Sequence, residues 1–265
     1  MRTDTDFVYD ATHQRILEGV VLRLAQSAAP LRWVLRGGLL LRAWFRPLPR
    51  GVEDVDVVAL APEDLPAIAD YSQAVLGTSC ADGVQYDLER IRAEQIWLET
   101  GNPGVRVFAT GQYERTEVDF HIDVTIGPVP RPPPVLTALP TLCGTPAVVW
   151  GCRPEAVAGH KMQALWHRGH SGWRPKDLYD LYLLLDRVPF DPTDLRLALI
   201  AYLADAGATP ADGQALFAVD SWWHRKMSAG RWRDFARNQP TPQVPLRLSA
   251  VVQTLAQRLD AVWDA

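Results

Sequence analysis

The stretch Val118-Asp119-Phe120-His121-Ile122-Asp123-Val124-Thr125-Ile126 alternates apolar and polar residues without a break. A helix would scatter the two classes around its circumference. An extended strand separates them, because successive side chains point to opposite faces. One face carries Val118, Phe120, Ile122, Val124 and Ile126, and the other carries Asp119, His121, Asp123 and Thr125. A fold for this chain must therefore bury one side of this strand and accommodate two acids and a histidine on the other.

A second strand repeats the theme. Asp54 to Leu60 is rich in valine and opens on Asp54-Val55-Asp56. Its two acids share one face, while Val55, Val57 and Ala59 turn the other way. Carboxylates side by side on a half-buried strand repel each other and are costly unless a cation lies between them. Hard oxygen ligands of this kind suit Mg²⁺, which commonly takes one or two carboxylates together with substrate phosphates. If the two strands pair, either Asp119 or Asp123 completes a three-carboxylate cluster, and spacing does not choose between them. His121 reads as a polar-face histidine near water rather than a ligand.

Around these strands the pattern alternates. Residues 9–28 predict an amphipathic helix, with Ile16, Val20, Val21, Leu24 and Ala25 on one face. Leu31 to Leu35 predicts a short strand that ends at Arg36-Gly37-Gly38. A helix over 39–45 follows, stopped by Pro47-Leu48-Pro49. Pro62-Glu63-Asp64 opens another helix. Residues 84–98 read either as a strand and a helix or as two strands, and Gly104 to Thr110 predicts a strand that could pair with Val118 to Ile126. This is the pattern of an α/β or α+β domain. The proline-dense tract from Gly127 to Pro140 cannot enter a sheet interior. It is expected to be an extended connector and a domain boundary, giving domains of 1–140 and 141–265. Beyond it, 154–168, 176–187, 192–206, 209–218 and 247–263 predict helices.

Composition narrows the class without naming a function. The 265 residues are 48% hydrophobic and 22% charged, which fits one large domain or two smaller ones. No run of about 18 apolar residues predicts a membrane span. Met1 to Asp10 carries four charged residues and no apolar core, so no signal peptide and a cytoplasmic location are expected. Cys80, Cys143 and Cys152 contain no C-x-x-C pair, and an odd, sparse count fits reduced thiols. The net charge of −4 is uneven: residues 1–150 hold 13 Lys and Arg against 19 Asp and Glu (−6), and residues 151–265 hold 14 against 12 (+2). A macromolecular anion would meet the C-terminal half more easily. Only Lys161, Lys176 and Lys226 among the 27 basic residues are lysines, a pattern that coding bias toward Arg also explains.

The C-terminal half supplies the cations. On a helix Lys161, Ala164, Leu165 and Arg168 share a face. Lys161 and Arg168 then stand about 10 Å apart along the axis, at about 1.5 Å per residue, enough to span a triphosphate. Pro175 suits the first position of the next helix, and Asp177 falls in its first turn, where the helix dipole favours an acid. Asp177 and Asp180 share a face, so Asp177 could hold Lys161 or a metal-bound water. Gly37-Gly38, between a strand and a helix, lets backbone approach a phosphate and offers N–H groups to it. Trp222-Trp223-His224-Arg225-Lys226 and Arg231-Trp232-Arg233 interleave aromatics with cations, as single-stranded RNA binders do. A helix core with solvated charges explains the same residues more simply.

Assembled in order, these pieces resemble the AbiEii/AbiGii-type nucleotidyltransferase-like toxins of the polymerase-beta-like nucleotidyltransferase superfamily. The matching stretches are Leu35-Arg36-Gly37-Gly38-Leu39-Leu40-Leu41, Arg50-Gly51-Val52-Glu53-Asp54-Val55-Asp56-Val57, Ile122-Asp123-Val124, His160-Lys161-Met162-Gln163-Ala164-Leu165 with Arg168, and Lys176-Asp177-Leu178-Tyr179-Asp180-Leu181. The resemblance implies a nucleotidyltransferase-like mixed sheet with flanking helices and a mostly helical C-terminal region that contributes Lys161 and Asp177 to the site. It implies Asp54, Asp56 and Asp123 as metal-binding acids, with Asp123 rather than Asp119 as the third. Lys161 and Asp177 match the family's lysine and downstream aspartate. Gly37, Gly38, Arg50, Arg168 and Lys176 fall to nucleotide binding. One departure stands out: Leu39 occupies the place after the glycines where relatives usually carry Ser or Thr, so a hydroxyl contact to phosphate is missing.

The expected activity is Mg²⁺- or Mn²⁺-dependent transfer of a nucleoside monophosphate from an NTP to an RNA acceptor, the 3′ end of a tRNA. By resemblance this is a toxin's activity, with a cognate antitoxin protein as partner. A protein hydroxyl is the other acceptor. Two rivals remain: a catalytically weak nucleotide- or RNA-binding protein, which Leu39 would suit, and an unrelated D-x-D sugar transferase, which has no use for Lys161 or Lys176-Asp177.

Overall fold

In the computed structural model the alternating stretch is the longer part of strand β6 (Thr116–Ile126), and its apolar members Phe120, Ile122 and Val124 are buried. The structure describes residues 11–29, 32–47, 49–61, 63–97, 103–127, 129–218, 221, 223, 225–239 and 244–263. They divide into two compact units, one within Phe7–Cys152 and one within Arg153–Ala265.

The first unit is built on a mixed sheet. Its strands are β1 (Trp33–Arg36), β2 (Asp54–Ala59), β3 (Val84–Tyr86), β4 (Arg92–Ile96), β5 (Gly104–Tyr113), β6, β7 (Val135–Leu139) and β8 (Ala147–Gly151). They run in the order β3-β5-β6-β2-β1-β8-β7, with β4 also paired to β5. Strand β2 lies between β6, which it meets in parallel, and β1, which it meets antiparallel. It is buried on its valine face because it is interior to the sheet. Residues 84–98 are thus two strands with a short 3-10 turn at Leu88–Arg90.

Helices α1 (Ala11–Gln26) and α3 (Leu65–Leu76) cover the sheet. Helix α1 buries Ile16, Val20, Val21 and Leu24 of the predicted face together with Leu17 and Leu22, and leaves Ala25 partly exposed. It also buries Arg23, whose guanidinium donates to Asp82 Oδ2 at 2.6 Å and to the Val84 carbonyl at 2.7 Å. A buried charge is tolerable when paired and hydrogen-bonded in this way. Asp64 caps α3 by accepting from the Ala67 N–H at 2.9 Å.

Two expectations change here. The helix expected over 39–45 is a single turn, α2 (Gly37–Leu40), that tightens into a 3-10 turn at Leu41–Ala43. The proline tract is not all connector: β7 occupies its proline-free run, and the first unit continues to Cys152 rather than ending at 140. The prolines still act as expected, because β7 is an edge strand with β8 as its one partner in the sheet.

The second unit is helical: α4 (Pro154–Gly172), α5 (Pro175–Arg187), α6 (Pro192–Asp205), α7 (Pro210–Ala215), α8 (Lys226–Arg237) and α9 (Leu248–Trp263). Four of these open on proline, whose missing N–H costs nothing at a first helical position. Thr209 and Asp212 form a capping box at the start of α7. Gly169, at φ +53°, breaks the last turn of α4. Helix α8 is not among the predicted helices. Its Trp232 is wholly buried, beside Tyr179 and Phe235. Trp223 is 2% exposed, stacks on Phe217, meets Trp173 edge-on and donates to the Leu216 carbonyl at 2.7 Å. These tryptophans are core, as the simpler reading of that segment expected; Trp222 and His224 lie outside the described residues. No described helix is long and apolar enough to cross a membrane.

Candidate functional site

Strand register brings the acids together. Parallel pairing of β2 with β6 sets Asp54 opposite His121 and Asp56 opposite Asp123. Partners in register point to the same face, so both acids of the D-x-D meet the polar face of β6. Donor atoms of Asp54, His121 and Asp123 all lie within 4.8 Å of one another. His121 Nε2 is 3.5 Å from Asp54 Oδ2 and 3.9 Å from Asp123 Oδ2. Two carboxylates and an imidazole converging at this range fit a divalent cation, the carboxylates suiting Mg²⁺ or Mn²⁺. Asp119 stands apart: it is exposed and accepts from the Thr110 hydroxyl at 2.7 Å.

Asp56 packs against the glycine turn. A Cβ on Gly37 would fall 1.9 Å from Asp56 Oδ2, and Gly37 has φ +71°. Both the backbone angle and the carboxylate therefore demand glycine there. Gly38 is pressed in the same manner by the Arg50 guanidinium, 2.8 Å from where a Cβ would sit. Arg50 is buried and donates to the Gly51 carbonyl at 2.9 Å. The turn is thus wedged between an acid and a cation. Helix α2 is too short for a sizeable macrodipole, so a phosphate here would be met by local N–H groups. Leu39 is 1% exposed. Its side chain belongs to the core rather than to the turn's outer surface.

Sequence reasoning missed Arg106. Antiparallel pairing of β5 with β6 puts it opposite Asp123, and it donates to both carboxylate oxygens at 2.8 Å. The hydrogen bond to Asp123 raises the Arg106 pKa above its ordinary value. Asp123 is 3% exposed, so this pair is a strong bidentate contact at the rim of the cluster. The signal lay in the hairpin register. Residues Glu114-Arg115 form a tight turn between the paired Tyr113 and Thr116, with Glu114 at φ +55°. Neither residue is the Gly or Asn that marks such turns.

In the second unit α4 and α5 pack together and gather Lys161, Arg168, Asp177 and Asp180. Lys161 Nζ lies 2.8 Å from Asp177 Oδ1 and 2.9 Å from Asp180 Oδ2. Arg168 Nη1 donates to Asp177 Oδ2 at 3.1 Å. Burial alone would raise the Asp177 pKa, but the Lys161 ammonium, seconded by Arg168 and His160, holds it well below the usual carboxylate range. Burial is also the largest influence on Arg168, which it lowers. Lys161 is 6% exposed and Asp180 is wholly buried, whereas the Arg168 side chain is 30% exposed. Lys176 is half-buried beside Asp177 in sequence and pairs with no described carboxylate.

These motifs lie in a sequence that matches the nucleotidyl transferase AbiEii toxin family, of type IV toxin–antitoxin systems, over residues 20–264. The chain belongs to that family. Among solved structures it is similar to MenT4, a nucleotidyltransferase toxin from Mycobacterium tuberculosis H37Rv, at 15% identity with a TM-score of 0.58, covering 95% of this chain and 83% of that one. It is also similar to JHP933 from Helicobacter pylori, at 14% identity with a TM-score of 0.45, covering 95% and 94%. No curated protein sequence matches the chain. The MenT4 match establishes a nucleotidyltransferase-like fold, the class the resemblance implied.

Proposed function

We propose that this family member transfers a nucleoside monophosphate from an NTP to a hydroxyl of an RNA acceptor, tRNA being the class its resemblance implies. The register of β2 on β6, which sets Asp54 and Asp56 against His121 and Asp123, carries the reading. In the reaction the acceptor oxygen bonds to the α-phosphorus, the bond to pyrophosphate breaks, and the hydroxyl proton is lost. A divalent ion held by Asp54, Asp56 and Asp123 would stabilise the attacking and leaving oxygens.

The chain's own groups do the positioning. N–H groups of the Gly37-Gly38 turn hold phosphate, and Arg50 keeps that turn in place. Asp123, fixed by Arg106, orients the acceptor hydroxyl or takes its proton. Lys161, helped by Arg168, would neutralise the charge on departing pyrophosphate, and Asp177 would hold Lys161. Arg168 is the more exposed of the two cations and suits an anion better than the doubly paired Lys161. Antitoxin control and a cytoplasmic site of action belong to the same reading.

The experiment is incubation with Mg²⁺, each α-³²P-labelled NTP and total RNA, beside Asp54→Ala. Label in a tRNA-sized band should fall at least about a thousandfold in the variant, more than loss of a single transition-state hydrogen-bond donor costs. Full transfer by a folded Asp54→Ala protein sinks the proposal. Label in a protein band moves the acceptor to a side-chain hydroxyl.

A further inference from the structure

A pocket of about 410 Å³ lies in the second unit, lined by α8 and the start of α9 with Trp223, Arg233, Arg237, Leu246, Arg247 and Ser249 among its walls. Trp223 and Arg233 come from the segments that interleave aromatics with cations, and none of these residues belongs to the stretches that match the family's site motifs. Charge is concentrated here. Between Arg225 and Arg247 the chain has Arg225, Lys226, Arg231, Arg233, Arg237 and Arg247 against the single acid Asp234. Arg231 is already used, donating to the Trp173 carbonyl at 2.9 Å and lying over its ring. Arg233, Arg237 and Arg247 are exposed, and no described carboxylate pairs with any of them. Elsewhere in the unit Arg153, Lys161, Arg168 and Arg258 each have a carboxylate partner.

The geometry matches a chain of phosphates. Arg233 and Arg237 stand one turn apart on α8, about 6 Å along its axis at ~1.5 Å per residue. Arg247 lines the same pocket, just before the first turn of α9. The Arg247 carbonyl accepts from the Ala250 and Val251 N–H groups, so Leu248 and Ser249 stand in the first turn of α9, where N–H groups have no carbonyl four residues back within the helix. Guanidinium forks and a helix N-terminus both favour phosphate oxygens. Trp223 is buried and offers a wall rather than a stacking face, so recognition here rests on backbone charge and carries no base preference.

We infer that this pocket is a phosphodiester-binding subsite that holds the backbone of the RNA acceptor. The inference rests on the RNA reading above. An acidic protein is the other polyanion available, but a concave pocket with three guanidinium groups on its walls suits a compact phosphate better than a flat acidic surface.

The test uses the full chain, fluorescein-labelled tRNA and anisotropy between about 50 and 200 mM salt, the range over which phosphate binding weakens. R233Q/R237Q/R247Q should bind tRNA about tenfold or more weakly at low salt. Its slope of log affinity against log salt should fall by about two to three, at roughly 0.7–0.9 for each phosphate no longer neutralised. R233K/R237K/R247K should keep most of the slope, and a fluorescent ATP analogue should bind all three proteins equally. If the Gln variant melts early, the three single Gln substitutions carry the test, each lowering the slope by about one. Unchanged tRNA affinity and slope overturn the subsite and leave the RNA reading standing. Failure of the wild type to bind tRNA overturns both. Loss of ATP-analogue binding with tRNA reassigns the pocket to free nucleotide. Polyglutamate that binds the wild type as tightly as tRNA and is lost in the variant reassigns it to an acidic partner.

Discussion

The carboxylates of the two units are held in opposite ways. In the first, Asp54, Asp56 and Asp123 are placed by strand register, face the half-buried His121, and have Arg106 and the glycine turn as neighbours. In the second, Asp177 and Asp180 are buried against Lys161 and Arg168, two acids balanced by two cations. The first cluster turns two acids and a histidine toward one another, and the second is an ion-pair network. The contrast is between acids placed by strand register and acids enclosed by buried ion pairs, and it predicts that substitutions in the two should differ in their cost to stability.

Asp54→Ala sharpens the comparison most, since its large loss of transfer should come with a nearly unchanged melting temperature. Lys161→Met should cost stability as well as transfer. It removes the ammonium that pairs with both Asp177 and Asp180, and breaking such a buried network costs about 3–5 kcal/mol. Chemical denaturation measures this. The pH dependence adds a check. Because the folded Asp177 pKa lies below its ordinary 3.8, the stability it contributes is full above that pH and is lost as pH falls further. That acid-side loss should flatten in Lys161→Met, which lacks the strongest force lowering the pKa. A melting temperature unmoved by Lys161→Met would dissolve the distinction between the units.

Leu39→Ser tests the one departure from the family pattern. Restoring a hydroxyl would be expected to raise activity if the side chain faced phosphate. It lies in the core, so the variant should instead lose about 2–5 kcal/mol, as deletion of a buried Leu does, with no gain in transfer per folded molecule. Increased turnover would place the side chain on the reactive side. The smallest effect is expected at Arg106→Gln. Freed of its bidentate partner, Asp123 should bind Mn²⁺ more readily, by about tenfold, the scale on which neighbours of a ligand tune affinity. A Mn²⁺ titration followed by electron paramagnetic resonance reads this without turnover. Weaker Mn²⁺ binding would show that Arg106 orients Asp123 rather than competing for it.

Much of this was legible in advance where the information is local. Strict alternation fixed β6, and valine-rich alternation fixed β2 together with the shared face of Asp54 and Asp56. Proline at the first helical position announced α5. The proline tract foretold an edge and hid β7, because five residues without proline are too few to announce a strand. Helix α8 was given no bounds, although a helix core with solvated charges was the simpler reading of its residues.

By itself, the sequence determined which residues share a face, since a period of two or of 3.6 is a property of the backbone alone. It therefore determined the paired acids of β2, the polar face of β6, and the stacking of Lys161 with Arg168 along one helix. Only the tertiary structure decided that Asp123, the acid the resemblance favoured, stands opposite Asp56 while Asp119 lies apart, that Arg106 grips Asp123, that Asp56 packs against the glycine turn, and that Leu39 is core. The first two depend on strand register, and the last two on how the turn and helix α2 pack against β2 and the core. Register is set by turns and by burial summed over the whole sheet, and a slip of one residue turns every side chain of a strand to its other face.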